Sequence, residues 1–328
     1  MTAFSVLDLS PIVEGGDARR ALLETTELAR DAERLGFTRF WLAEHHNMPG
    51  IASAATAVAL AHVAANTRTI RVGSGGVMLP NHAPMVIAEQ FGTLEALHPG
   101  RIDLGLGRAP GADGATARAL RRYFEAADQF PRDVMELQAF LADPVEGQRV
   151  TAWPGAGSKV PIWLLGSSLF SAELAAQLGL PFAFASHFAP EMLLQALRVY
   201  RESFRPSAQL ERPYAMAAIN VFAADSDAEA GRLSSSMQQS FAAVVAGEPG
   251  RLKPPVDDIT TVLDARQIAA VESRLTWAAI GDGATVRGKL AEFIALTGVN
   301  EVMVTGMIHD LEARLRSLEI TAQAAEGL

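Results

Sequence analysis

Five short stretches of the chain carry residues able to do chemistry. Ala43-Glu44-His45-His46-Asn47 sets a carboxylate and two imidazoles directly after an apolar run. Histidine exchanges protons near neutral pH, so His45 is a candidate acid–base group. Neighbouring residues on an extended chain point to opposite sides, so His45 and His46 are not expected to face one site together. The plain alternative is a capped strand end with a satisfied histidine. Val72-Gly73-Ser74-Gly75-Gly76-Val77 holds three glycines, whose missing Cβ atoms let a flat ligand approach the backbone closely or simply permit a tight turn. In Leu79-Pro80-Asn81-His82, just downstream, His82 reads as a loop histidine. Gly105-Leu106-Gly107-Arg108-Ala109-Pro110-Gly111 begins like a dinucleotide fingerprint, but Pro110 stands at the third glycine position and lacks an N–H, so a Rossmann site is excluded. Arg108 reads instead as an anion contact, because a guanidinium suits a phosphate. Ser167, Ser168 and Ser171 put three hydroxyls where a helix begins, which makes either an anion site or an ordinary N-cap. Ile280-Gly281-Asp282-Gly283 reads as a turn. No metal site is expected: Glu44, His45 and His46 are consecutive and cannot readily converge on one ion. Neither HExxH nor GxSxG occurs.

These segments need a scaffold that gathers them. Short β-branched or apolar runs at 4–9, 37–44, 69–74, 101–106, 160–166, 180–186, 214–224 and 299–306 predict eight strands. Helical periods separate most of them, over 18–35, 84–97, 116–142, 171–178 and 190–203, with Ser53 a candidate cap for an Ala-rich helix reaching 65. Eight β/α units predict an α/β fold of the closed (β/α)8 TIM-barrel type. In such a barrel the active site forms at the C-terminal ends of the strands, which brings all five segments to one mouth. Residues 1–328 are expected to make one domain with two departures from the repeat. Residues 143–159 are rich in Pro and Gly and predict a small hairpin or excursion. Residues 225–298 are too long for one connection, and GEPGRLKPPVDD (247–258) has turn chemistry without helical period, so 247–280 is expected to be a mobile lid.

Composition removes several function classes. Of 328 residues, 49% are apolar and 20% charged, the balance of a globular protein. The chain has no cysteine, which excludes disulfides, thiolate metal sites, iron–sulfur clusters and a cysteine nucleophile, and fits a reducing cytosol. The start, MTAFSVLDLSPI, lacks a basic segment followed by an apolar run, so no signal peptide is expected. No apolar stretch is long enough to span a bilayer. The net charge is −9 with no basic cluster interleaved with aromatics, so nucleic acid is not an expected partner.

Glu44-His45-His46, the 72–80 segment and Arg101–Arg108, in this order, resemble the bacterial luciferase-like flavin monooxygenases, most strongly over 35–110. The resemblance implies a luciferase-like barrel that uses reduced FMN and O2 on a small organic substrate, an aldehyde or other apolar molecule. It also implies a separate NAD(P)H:flavin reductase as functional partner and a homodimer, while the cysteine-free composition and the start of the chain lead to a cytoplasmic expectation. By the same resemblance His45 is the catalytic histidine and Gly75-Gly76 forms a cis, non-prolyl peptide beneath the flavin. Arg108, Ser167, Ser168 and Ser171 then hold its phosphate. The position of the family's reactive cysteine falls on Gly107, which removes support for light emission but not for flavin binding. The chemistry agrees, because FMN needs a flat slot with close walls and a dianion pocket at one end. A closing 247–280 segment would keep water from the reacting flavin. Two alternatives stand beside this reading. An F420-dependent oxidoreductase on the same fold would favour more basic residues at the mouth. A flavin-binding protein without catalysis would need neither His45 nor a lid.

Overall fold

The computed structural model describes residues 1–109, 114–121 and 124–328. Its strands are β1 (Ala3–Asp8), β2 (Arg39–Leu42), β3 (Arg71–Ser74), β4 (Val77–Met78), β5 (Ile102–Gly107), β6 (Ile162–Gly166), β7 (Phe182–Phe184), β8 (Ala215–Ala223), β9 (Ala278–Gly281) and β10 (Glu301–Thr305). Every pairing is parallel. The order β10-β1-β2-β3-β5-β6-β7-β8 closes on itself through β10 against β8, an eight-stranded barrel. The short β4 pairs with β5, and β9 extends the C-terminal half of β8. The eight barrel strands correspond one for one to the eight expected from the sequence.

The helices α1 (Ala18–Arg34), α2 (Thr56–Ala65), α3 (Pro84–Leu97), α4 (Gly114–Ala119), α5 (Phe130–Leu141), α6 (Leu169–Leu178), α7 (Leu193–Ser203), α8 (Asp227–Val245), α9 (Ala265–Arg274), α10 (Gly283–Thr297) and α11 (Leu311–Ala325) surround the barrel. Several starts follow from local chemistry. The side chains of Asp17, Ser226, Asp282 and Asp310 accept from backbone N–H groups of the first turn, and Asp264 with Gln267 forms a capping box. Strand residues that alternate outward, such as Phe40, Val72, Leu104, Leu164 and Val302, pack against these helices in one continuous core.

Some expectations fail for identifiable reasons. Ser53 does not cap α2; its Oγ reaches the Ala43 carbonyl at 2.6 Å and the Leu9 carbonyl at 3.1 Å, tying the ends of β1 and β2 together. The single helix expected over 116–142 is divided into α4, a 3-10 turn at Phe124–Gln129, and α5. Pro131 lacks an N–H and belongs in a first helical turn, so a new helix starts there. Residues 122–123 of that stretch lie outside the described residues, as do 110–113 before it, which include Pro110 and Gly111 of the glycine-rich segment. Residues 225–298 are mostly regular, comprising α8, α9, β9 and α10. The Ser234-Ser235-Ser236 run blurs the helical period of α8, yet all three serines are buried against the rest of the fold. Ile280-Gly281 ends β9 and Asp282 caps α10, so this segment is more than a turn. Residues 143–159 run as turns without strands, and Gly155 packs so tightly on α3 that a Cβ on Gly92 would collide with it.

Candidate active site

Alternation inside the barrel sorts its lining into layers. At the N-terminal end lies a polar plug. Arg39 pairs with Asp103 at 2.6 Å and Glu301 at 3.0 Å, Arg71 with Asp103 at 2.6 Å, and the Tyr214 hydroxyl donates to Glu301 at 2.9 Å. Above it Leu7, Trp41, Trp163, Ala183, Met216 and Met303 fill the axis, with Trp41 edge-on to Trp163 at 5.2 Å. These aromatics close the barrel from below, so the chemistry is confined to the C-terminal mouth.

The inward parity of Trp41 and Ala43 continues to His45 beyond β2. The sequence pairing of His45 with His46 does come apart. His46 Nε2 stands 2.7 Å from Glu44 Oε1, and His82 Nε2 stands 2.8 Å from the same oxygen. The Met78 N–H donates to the other oxygen, Oε2, at 3.2 Å. Glu44 is thus buried beneath three donors; burial alone would raise its carboxyl pKa, but hydrogen bonds and charge from His82 and then His46 together outweigh it and hold the group below the ordinary range. His82 is the residue the sequence reading passed over as a loop histidine. The ligand-type atoms of Glu44, His46 and His82 lie within 4.8 Å of one another, a convergence that the consecutive order of 44–46 did not suggest. Both nitrogens sit at hydrogen-bond distance from one oxygen, the arrangement of a carboxylate bridging two imidazoles. Through Met78 the same carboxylate anchors β4, directly after the glycines.

The Gly75–Gly76 peptide is cis, as the resemblance implies. A Cβ on Gly75 would stand 2.6 Å from Leu7 Cδ1, and one on Gly76 would stand 2.8 Å from the Gly105 carbonyl oxygen. At Gly76 the obstacle is backbone, so only glycine fits there; at Gly75 it is the end of the Leu7 side chain, with Trp41 3.3 Å away. Arg108 follows β5 and lays its guanidinium over the Phe170 ring at 4.1 Å, in the first turn of α6. Ser168 takes the N-cap position of α6 but makes no side-chain cap bond, Ser167 is half-buried, and Ser171 is buried against Gly166. A cation, a helix start and hydroxyl groups therefore gather at one edge of the mouth.

His45 contributes something different. Its Nδ1 is buried without a hydrogen-bond partner among the described residues. Burial pushes its pKa below the ordinary histidine range, the Glu44 carboxylate opposes, and His46 adds to the depression. Across the mouth, His187 also carries a buried, unpartnered Nδ1. Its pKa is pushed down to about 3, chiefly by burial and then by the nearby His45. The sequence reading missed His187, although it follows β7 with the parity of Ala183, as His45 follows β2 with that of Ala43.

The luciferase-like monooxygenase family model matches residues 2–301. The chain belongs to that family. A luciferase-like monooxygenase of Escherichia coli (strain K12) is 55% identical over 327 residues, covering 99% of this chain and 98% of its own. The crystal structure of apo-MsnO8 aligns with a TM-score of 0.87 at 36% identity, over 99% of each chain. Two more distant structures share the fold. One is the oxygenating constituent of 3,6-diketocamphane monooxygenase from Pseudomonas putida in complex with FMN, with a TM-score of 0.73, 19% identity, and 100% of this chain and 99% of that one covered. The other is an F420-dependent secondary alcohol dehydrogenase, with a TM-score of 0.72, 15% identity and 99% of both chains covered.

Proposed function

We propose that the protein is a flavin-dependent monooxygenase that takes reduced FMN from a separate NAD(P)H:flavin reductase and uses O2 on a small organic substrate. The observation that carries this reading is that a side-chain-free Gly75–Gly76 stretch and a phosphate-type edge lie at the same C-terminal end of the barrel as His45. Gly75 and Gly76 pack their Cα atoms against Leu7, Trp41 and Gly105 and carry no side chain, so a flat tricyclic ring can lie directly on their backbone. Arg108 with Ser167, Ser168 and Ser171 fits a phosphate dianion. In reduced form, bound FMN supplies the two electrons that the reaction of O2 requires.

The chain's own residues do the rest. Glu44 clamps His46, His82 and the Met78 N–H, and so holds the glycine wall at a fixed distance from β2. His45 is neutral at neutral pH and has a free Nδ1, so it can take a proton at that atom or return one. The 247–263 segment closes the mouth and excludes water, and two copies of the chain pair in solution.

The F420 reading has the fold-level match in its favour, and one experiment separates the two. The purified protein is titrated with reduced FMN and with F420, then supplied with FMN, a flavin reductase, NADH, O2 and a panel of small organic substrates. Binding of reduced FMN with substrate loss in step with O2 use is the expected result. Tight F420 binding without FMN binding, or O2 use that yields only peroxide across the panel, overturns the reading.

A further inference from the structure

Asn220 is the sixth residue of β8 and fully buried. It shares the inward parity of Met216 and Ala218, so its side chain faces the barrel interior one layer above Ala218. Its Nδ2 donates to the His187 carbonyl at 2.6 Å. A carbonyl can only accept, so this bond fixes the amide's orientation and leaves Oδ1 as the other end. That Oδ1 is buried with no partner among the described residues, as is the Nδ1 of His187. Ser186 donates to the Ala218 carbonyl at 2.6 Å, so the turn carrying His187 is tied to β8 at two successive points. This rigid turn presents two unsatisfied polar atoms, a state that buried groups rarely tolerate without a ligand or water to complete them.

Topology says where the pair faces. In the closed order β10-β1-β2-β3-β5-β6-β7-β8, β8 lies four strands from β3 in either direction. Asn220 therefore stands across the mouth from the Gly75 wall, and His187 follows the neighbouring strand β7. A ligand lying on the glycine wall would therefore have Asn220 and His187 on the opposite side of the mouth.

We propose that Asn220 and His187 are the specificity-determining wall of the substrate pocket, and that they select a neutral substrate with an apolar body and an amide group. Asn220 Oδ1 accepts the amide N–H. The neutral His187 ring donates its N–H to the amide carbonyl. An ester of the same shape offers no donor and sets its oxygen against Oδ1. The assignment rests on the flavin reading only for the side of the pocket on which substrate sits.

The test compares N-butylacetamide with butyl acetate, binding each to the purified protein with and without oxidised FMN, by ligand-observed NMR titration. The amide is expected to bind about tenfold more tightly than the ester, the penalty for leaving a buried acceptor unpaired. Asn220→Leu is expected to bring the two probes to parity while FMN binding stays as in the wild type. His187→Phe, which retains a ring edge-on to Phe188, is expected to weaken the amide alone and guards against a misfolded Asn220 variant. Equal affinity of the wild type for the two probes, no binding of either, or undiminished preference in both variants overturns the wall. Amide preference without any FMN binding would keep the wall and remove the flavin reading, and FMN binding without amide preference would do the reverse.

Discussion

Replacing His45 by alanine separates a catalytic from a structural histidine more cleanly than any other change in this molecule. The structural cost follows from its surroundings. Nδ1 has no partner, so its removal strands no donor or acceptor, and the ring is only partly buried. A loss of about 1 kcal/mol is expected, which lowers the melting temperature of a chain this large by roughly 2–4 °C. The catalytic cost is of another order, because general acid–base groups contribute about 10²–10⁴ in rate, equivalent to about 2.7–5.5 kcal/mol of barrier. The pH dependence carries the same signature. Burial depresses the His45 pKa, so the neutral ring persists below the ordinary value of about 6.5. Wild-type kcat/KM should thus hold through pH 6.5 and fall only at lower pH, and His45→Ala should lose that acid limb. The assay measures product, O2 and peroxide together with a thermal melt on one preparation. In the variant turnover should collapse and peroxide should take a larger share of the O2 consumed. A soluble His45→Ala protein with normal turnover and unchanged coupling would remove His45 from the mechanism. So would a melting temperature far below wild type with near-normal turnover per folded molecule.

Three further outcomes follow from the same geometry. Glu44→Ala leaves the part-buried His46, His82 and Met78 N–H without their acceptor, and at about 0.5–1.5 kcal/mol per lost hydrogen bond it should destabilise more than His45→Ala in a denaturant melt; equal stability losses would refute the clamp. Arg108→Ala removes a charged contact worth about 1.5–3 kcal/mol, so FMN affinity should fall about tenfold or more while riboflavin, lacking the phosphate, is little affected; equal losses for the two would sink the phosphate assignment. Limited proteolysis should cut first within 247–263, and bound flavin should slow the cut, because the segment has no α-helix or β-strand of its own and is held to the rest of the fold by hydrogen bonds between Leu252 and Ile12 and Glu14, Arg251 and Gly16, Pro254 and Gln239, and Val256 and Ser235; first cleavage elsewhere without ligand protection would reject closure.

Much of this was legible in residue order alone. Alternating periods of two and 3.6 are local properties, so eight barrel strands and the helices between them could be read from short windows. The Gly75-Gly76 pair and the strand-end position of His45 were visible for the same reason. Contacts between segments far apart in the chain were not. His82 joins Glu44 across 38 residues, and Asn220 reaches the His187 carbonyl across 33, and nothing in the types or spacing of either pair announces it. Ser53 shows the limit from the other side: its sequence suits a helix cap, yet the barrel brought two strand-end carbonyls within reach and they won the hydroxyl. The sequence by itself determined the alternation, the inward and outward parity of each strand, and so which residues could line the mouth. Only closure of the barrel decided which of them meet, because closure sets the distances between strand ends, and hydrogen bonds and burial act over a few ångströms of space rather than along the chain.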